Sequence, residues 1–242
     1  MTHFLIKKEE IKQYIVELLN NENFFHIVKV LRAKIGEKIK FIDDDRMVYF
    51  CEITEISKSS LVAKIIEKNK TDRILNKNLC LIQSILMNDA QNLAIANAVQ
   101  TGVKRIFPVL SDNVSAPKAS LKDKVSKWQK IAVENFKQCE RGDMPEINEI
   151  ISLKDALSQF KKENILIFAE KYDNKTFDNC LDNLDLNSPI ALVIGPEGGF
   201  SQKEFDYFIE ADYKLITLGK MIYKAPNAIV AGISNIVSRL EC

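Results

Sequence analysis

Residues 190–206, IALVIGPEGGFSQKEFD, carry an apolar run, a glycine-rich bend and a helix start in one stretch. Ser201 and Glu204 are spaced as S-x-x-E, so the serine can cap the helix while the glutamate reaches back to the cap's own amide. A glycine-rich loop ending at a helix N-terminus ordinarily holds phosphate, because free N–H groups and the helix dipole favour anions. Glu197 argues against that use. No G-K-[ST] follows, the glycines are not spaced as G-x-G-x-x-G, and a carboxylate inside the bend repels a phosphate. A ligand with hydroxyls, an amine or a positive sulfonium suits the bend better. The alternative is a plain tight turn in which Gly198 and Gly199 only supply positive φ.

Two further stretches have the same character. LITLGKMIYKAPNA ends an apolar run at Leu218 and Gly219 and leads into the final helix, and Glu170 follows the apolar run ILIFA. In α/β sheets, ligands lie outside the carboxyl ends of the strands, so these three bends are expected to meet. The elements that would bring them together are legible. From about residue 79, NLCLIQSIL, KRIFPVL, NILIFA, PIALVI and KLITLG alternate with helical patterns, the mark of a mostly parallel sheet with crossover helices. A helix over 121–139 sets Val125, Trp128, Ile131 or Ala132, Phe136 and Cys139 on one side and turns its lysines outward. The last helix has Pro226 near its first turn and an apolar stripe of Ile229, Ile233, Ile236 and Leu240. Before residue 71 the rhythm differs. EKIKFID, MVYFCEITEIS and SLVAKIIEK are short, β-rich and separated by the turn formers DDDR and SKSS, which predicts a small β-barrel module.

Composition excludes several chemistries. Two histidines, His3 and His26, leave little for a Ser-His-Asp triad or a metal cluster, so no metal is expected. The five cysteines are scattered singly without a C-x-x-C, which removes a disulfide framework and a zinc site. No apolar run approaches the ~18 residues needed to span a bilayer, and MTHFLIKKEEIKQ lacks the apolar core of a signal peptide, so a cytoplasmic protein without a membrane role is expected. A nicotinamide-dependent oxidoreductase, the generic α/β alternative, lacks its G-x-G-x-x-G after any strand. The net charge of +1 hides two basic clusters. Lys29, Arg32, Lys34, Lys38 and Lys40 face only Glu37, and six lysines between Lys118 and Lys137 face Asp123 and Glu134. Each reads as a solvated lysine-rich face or as a surface for a polyanion.

VIGPEGGFS followed by LGKMIYKAPNAIVAGIS resembles the SPOUT-class methyltransferases, and within them the family of small-subunit ribosomal RNA methyltransferase E. HIVKVLRAKIGEKI, TGVKRIFPVLSD and KWQKIAVENFKQCERGDMPEI extend the resemblance in order along the whole chain. It implies a PUA-like RNA-binding β-barrel over 1–71 and a SPOUT-type α/β domain with a trefoil knot over 72–242. It also implies a homodimer that uses S-adenosylmethionine to methylate N3 of a decoding-centre uridine in 16S ribosomal RNA, within the assembled small subunit. Carried over by position, Gly195, Pro196, Glu197, Gly198, Gly199, Leu218, Gly219, Ile222 and Ala228 would wrap the cofactor, with Glu170 beside them. Lys224 would be the catalytic cation, and Lys29, Arg32, Lys127 and Arg141 would contact RNA. The sequence departs from the family's closing motif. Met221 stands at an arginine position, Lys224 at a second arginine and Pro226 at an acidic one. A non-catalytic RNA-binding or ribosome-assembly factor on a methyltransferase fold is therefore the alternative function.

Overall fold

The computed structural model describes residues 3–115, 121, 123–169 and 181–241. They form two compact units, one running to Ile74 and taking in Phe136–Asp143, the other made of Leu75–Asn135 and the chain from Met144.

The first unit is a six-stranded sheet. Its strands are β1 (His3–Leu5), β2 (Ile11–Lys12), β3 (Ile15–Leu19), β4 (Lys38–Ile42), β5 (Met47–Ile56) and β6 (Ser60–Lys70), in the order β1-β4-β5-β6-β3-β2. All neighbours are antiparallel except β1 with β4. Alternate residues point to one face, so Ile39 and Phe41 of β4, Tyr49, Cys51 and Ile53 of β5, and Leu61 and Ala63 of β6 fill one core. Register shifts at Phe50/Cys51 and Ile53/Glu55 bend β5 around that core. Between β3 and β4, Asn21 caps the short helix α1 (Glu22–Phe25) by accepting from the Phe24 amide at 2.9 Å. The helix runs on as a π-helical turn over His26–Val30. In the DDDR turn, the buried Asp43 accepts from the amides of Asp45 and Met47 and from the Tyr49 hydroxyl at 2.8 Å. Burial and that bond push the Tyr49 phenol up to about 12.

Three cations assigned outward by the sequence face inward here. Lys40 binds Glu140 at 2.8 Å with its side chain only 11% exposed, and Arg73 holds the other carboxylate oxygen at 2.9 Å. Lys137, at the end of the helix expected to turn its lysines to solvent, is buried with its ammonium 5.4 Å from the Phe4 ring. Arg141 is 5% exposed and gives both Nε and Nη2 to Asp143. A sequence shows the charge of a lysine or arginine but not the partner that folding brings to it.

His3 makes this unit sensitive to pH. It is buried beside Phe136, with ring centroids 4.8 Å apart, and its Nε2 has no hydrogen-bond partner. Desolvation drives its pKa down to about 4 from 6.5. The unfolded chain therefore takes up a proton that the folded one refuses, and stability falls as pH drops from 6.5 towards 4. Glu140, held down to about 2 chiefly by the Lys40 hydrogen bond, adds a second loss below 4.5. Urea unfolding at about pH 5 should show ~2 kcal/mol less stability than at about pH 7.5. In His3→Phe most of that difference should vanish, and an unchanged difference would place the proton uptake elsewhere.

The second unit is a parallel sheet with crossover helices. Its elements run β7 (Leu79–Ser84), α2 (Asn88–Gln100), β8 (Arg105–Leu110), α3 (Lys124–Cys139), β9 (Glu146–Ile147), β10 (Ile151–Ser152), α4 (Leu153–Leu157), β11 (Ile165–Phe168), β12 (Ile190–Ile194), α5 (Gln202–Glu210), β13 (Lys214–Ile216) and α6 (Ala225–Leu240). The last turn of α3 belongs with the first unit. The strand order is β10-β8-β7-β12-β11-β13, with β9 also on β8 and every pairing parallel. All five residues of β12 are buried, which explains why IALVI is continuous rather than alternating. Pro108 falls in the gap between the β9 and β10 segments, where the ladder on that side of β8 is already interrupted.

Helix α6 packs on α2 and β12 and begins, as the sequence indicates, with proline in its first turn. Its close approach depends on Gly232. A Cβ there would meet Phe168 Cζ at 2.6 Å and Leu192 Cδ2 at 3.1 Å. Gly232→Val should cost ~1–3 kcal/mol through overpacking, lowering Tm by roughly 2–10 °C. A melting point equal to the parent's would show that Phe168 gives way freely. Among the described residues no helix is long and apolar enough to cross a membrane.

Candidate active site

Because every strand of the second sheet is parallel, the loops after β7, β8, β12 and β13 lie along one edge. The strand order reverses between β7 and β12, the kind of switch point at which open α/β sheets bind ligands. The bend of residues 195–199 leaves β12 there. Gly199 turns it with φ +71°, and its amide donates to Pro196 O at 2.9 Å. Only glycine adopts that backbone without strain. Ser201 then caps α5 as the sequence requires, with Ser201 Oγ accepting from the Glu204 amide at 3.1 Å and Glu204 Oε2 from the Ser201 amide at 2.8 Å.

Glu197 does not hang free in the bend. Its Oε1 accepts from the Met87 amide at 2.8 Å, so the carboxylate sits at the N-terminus of α2, where the dipole favours it. The bend is tied to the next loop as well. Asn113 Nδ2 donates to Gly199 O at 3.1 Å, Ser201 Oγ to Asp112 Oδ2 at 2.6 Å, and the Asp112 amide to Glu204 Oε1 at 2.9 Å. Loops from β7, β8 and β12 are thus held as one rim. The sequence reading missed Asp112 and Asn113, although SDN directly after the apolar run KRIFPVL was a signal of a polar strand end.

The segment after β13 is held differently. Thr217 Oγ1 accepts from the Gly219 amide, and Gly219 turns with φ +101°. Beyond it, the amides of Lys220, Met221, Ile222 and Tyr223 donate to no acceptor among the described residues. Met221 and Ile222 are 71% and 78% exposed. At both Gly199 and Gly219, the position a Cβ would take has nothing within 4 Å. Two glycine turns on one edge of the sheet that open on free space, the second leading into a strap of unpaired amides and exposed apolar side chains, suit a ligand gripped by main-chain donors and apolar contact.

Of the expected cofactor residues, Gly195, Pro196, Glu197, Gly198, Gly199, Leu218, Gly219 and Ile222 all lie in loops on this edge. Ala228 is buried in the first turns of α6, and Glu170 lies outside the described residues. Lys224 is exposed at the N-cap of α6, where its carbonyl accepts from the amides of Asn227 and Ala228. Lys29 and Arg32 are exposed on the first unit, Arg32 with φ +55°, and Lys127 is exposed on α3. Beneath the rim, at the end of β7, Gln83 Oε1 and Ser84 Oγ are buried without partners, and so is Gln91 Nε2, whose Oε1 accepts from the Leu86 amide. Nothing in the sequence pattern singled these out.

Residues 55–237 match the family described as RNA methyltransferase domain, and residues 19–66 match the RNA methyltransferase PUA domain. Ribosomal RNA small subunit methyltransferase E of Mesomycoplasma hyopneumoniae is 31% identical over 172 residues, covering 69% of this chain and 73% of that protein. The chain belongs to the ribosomal RNA small subunit methyltransferase E family. The family member of Bacillus subtilis is 24% identical over 98% of this chain and 95% of its own. The crystal structure of the Neisseria gonorrhoeae member, bound to S-adenosyl methionine, superposes with a TM-score of 0.83 at 27% identity, covering 99% of this chain and 98% of that one. A Legionella pneumophila structure with a TM-score of 0.86 at 22% identity agrees on the fold. The mixed fold, a PUA-like N-terminal unit followed by a SPOUT-type α/β unit, is that of the family.

Proposed function

We propose that this chain transfers a methyl group from S-adenosylmethionine to N3 of a decoding-centre uridine in 16S ribosomal RNA, with the assembled small subunit as substrate. The observation that carries the reading is the rim at the β7/β12 switch point. Gly199 in that rim and Gly219 in the loop after β13, on the same edge of the sheet, are positive-φ glycines whose Cβ positions are open, and the second leads into a strap whose amides have no acceptor among the described residues, in a chain whose family includes a member crystallised with S-adenosyl methionine. Residues 1–71 are assigned to RNA binding and 72–242 to catalysis, with the knot placed in the segments after β12 and β13. A homodimer is part of the proposal, and apolar surface on the paired helices α2 and α6, Leu93 at 50% and Val230 at 38% exposed, supports it.

When bound, the sulfonium supplies an activated methyl group for in-line displacement. The chain's own work is placement, which can contribute ~7–11 kcal/mol towards such a barrier. Gly195–Gly199 and the strap of Leu218, Gly219 and Ile222 would hold the donor, and Glu197 fixes the bend by its bond to Met87 rather than by facing a phosphate. N3 of uracil must lose a proton, and the resulting anion needs a cation nearby. Lys224 is suited to that task. It projects from a helix N-terminus, whose dipole adds to its charge, and no ion-pair partner neutralises it among the described residues. Met221 and Pro226 leave this as the one cation kept from the family's closing motif.

The test is labelled methyl transfer to small subunits that lack the modification, compared with naked 16S RNA and with large subunits. Label entering the small subunit alone supports the proposal. Binding of donor and subunit without label would assign the chain to the non-catalytic alternative.

A further inference from the structure

The strongest feature that the methyl-transfer site does not use lies in the first unit. Between the π-helical turn and β4 is a groove of about 240 Å³, with Phe4, Ile27 and Ile53 as its floor and Leu31, Glu37 and Lys38 at its rim. Its surroundings combine two properties that rarely coincide on a solvated surface. Val30, Leu31 and Ile35 are 69%, 54% and 63% exposed, although each is a large apolar side chain. Among them stand Lys29, Arg32, Lys34 and Lys38, all exposed, against the single carboxylate of Glu37. The turn is kept in this shape by specific backbone bonds. Leu31 N donates to His26 O at 2.9 Å and Ala33 N to Ile27 O at 3.1 Å, with Arg32 in the left-handed region.

From this we infer that the groove takes one unstacked base of single-stranded RNA while the surrounding cations hold the phosphates on either side. The inference rests on the RNA-binding reading above and assigns that reading a specific subsite. Charge complementarity selects a polyanion, and the exposed apolar lip of Val30, Leu31 and Ile35 over a buried floor selects a weakly hydrated body against it. A nucleotide chain has both. The volume falls below the ~300–1,000 Å³ of clefts that take drug-sized ligands, which leaves room for a single ring system rather than a folded ligand. An edge is also provided for. The Glu37 carboxylate has no partner among the described residues and can accept from an exocyclic amine or a ring N–H.

Affinity of the full chain is measured for a ribo-oligonucleotide of about ten nucleotides and for an abasic ribose-phosphate strand of equal length, across a range of salt. Ala33→Trp fills the groove and Leu31→Ser, at an exposed position, removes its apolar lip. Both should weaken RNA binding by about tenfold and leave the abasic strand and the salt slope unchanged. Lys29→Ala should weaken both strands and make the slope shallower by ~0.7. RNA affinity within twofold of the parent in both groove variants would overturn the subsite while leaving RNA binding itself intact. Salt-independent or absent binding of the ribo-oligonucleotide by the parent would overturn the subsite, while methyl transfer to the assembled small subunit is decided separately by the labelling test above. Adsorption to anionic vesicles, lost in Leu31→Ser and unaccompanied by RNA binding, would reassign the groove to a lipid surface.

Discussion

Lys224→Ala should lower kcat by ~10²–10³-fold, the usual cost of removing one group aimed at developing negative charge. Affinity for S-adenosylmethionine should stay within about twofold, because the interaction is made only as the uracil anion forms. The expectation follows from position. Lys224 caps a helix of sixteen residues with extended backbone, φ −62° and ψ 145°, so its side chain leaves the helix at the positive end. Lys224→Arg keeps the charge but changes its shape, and should recover part of the rate. A kcat unchanged in Lys224→Ala, measured by single-turnover methyl transfer, would move the electrostatic role to another residue.

Gly199→Val should weaken S-adenosylmethionine binding by ~5–150-fold, the equivalent of ~1–3 kcal/mol, with a smaller effect on rate once the site is saturated. Valine at φ +71° is strained whatever the space around it. The structure separates two costs here. The Cβ position has no neighbour within 4 Å, so the protein itself raises no clash, and the side chain instead occupies the open space assigned to the donor. Calorimetric titration with the cofactor checks the binding loss. Melting curves check the fold, and a large drop in Tm with unchanged affinity would show that the turn serves the fold and not the ligand.

Legibility of the sequence tracked the range of the forces involved. The capping box of Ser201 and Glu204, the buried run of β12, and Pro226 in the first turn of α6 are written within a few residues, and all three stand in the structure. Strands β7, β8, β11, β12 and β13 of the second sheet were likewise marked by apolar runs bounded by turn formers. Strands β1, β2, β9 and β10, of two or three residues each, were not, since unlike the three-residue β13 in KLITLG they sit in no longer apolar run and are too short to show a period. The π-helical turn at His26–Val30 leaves no local signature either.

In the site, the glycines were visible but their ties were not. Glu197 reads as a carboxylate inside a cradle, and only the fold brings it to the Met87 amide, 110 positions away in the chain. Asp112 and Ser201 are separated by 89. The inward turn of Lys40 and Lys137 has the same cause, because burial of these charges is decided by a distant partner, Glu140, or by an aromatic face, whereas Arg141 turns to Asp143 two residues on. The exposed basic surface is accordingly smaller than the charge count, with Lys29, Arg32, Lys34 and Lys38 on the first unit and Lys127 on α3 remaining open.

Small subunits lacking the modification are incubated with this protein and S-adenosylmethionine, and the RNA is digested to nucleosides and to oligonucleotides for mass spectrometry. We expect N3-methyluridine in a single decoding-centre oligonucleotide, absent when Lys224→Ala replaces the parent over the same interval. Methyl on a ribose oxygen, on another base, or on no nucleoside at all from protein that still binds donor and subunit, would contradict it.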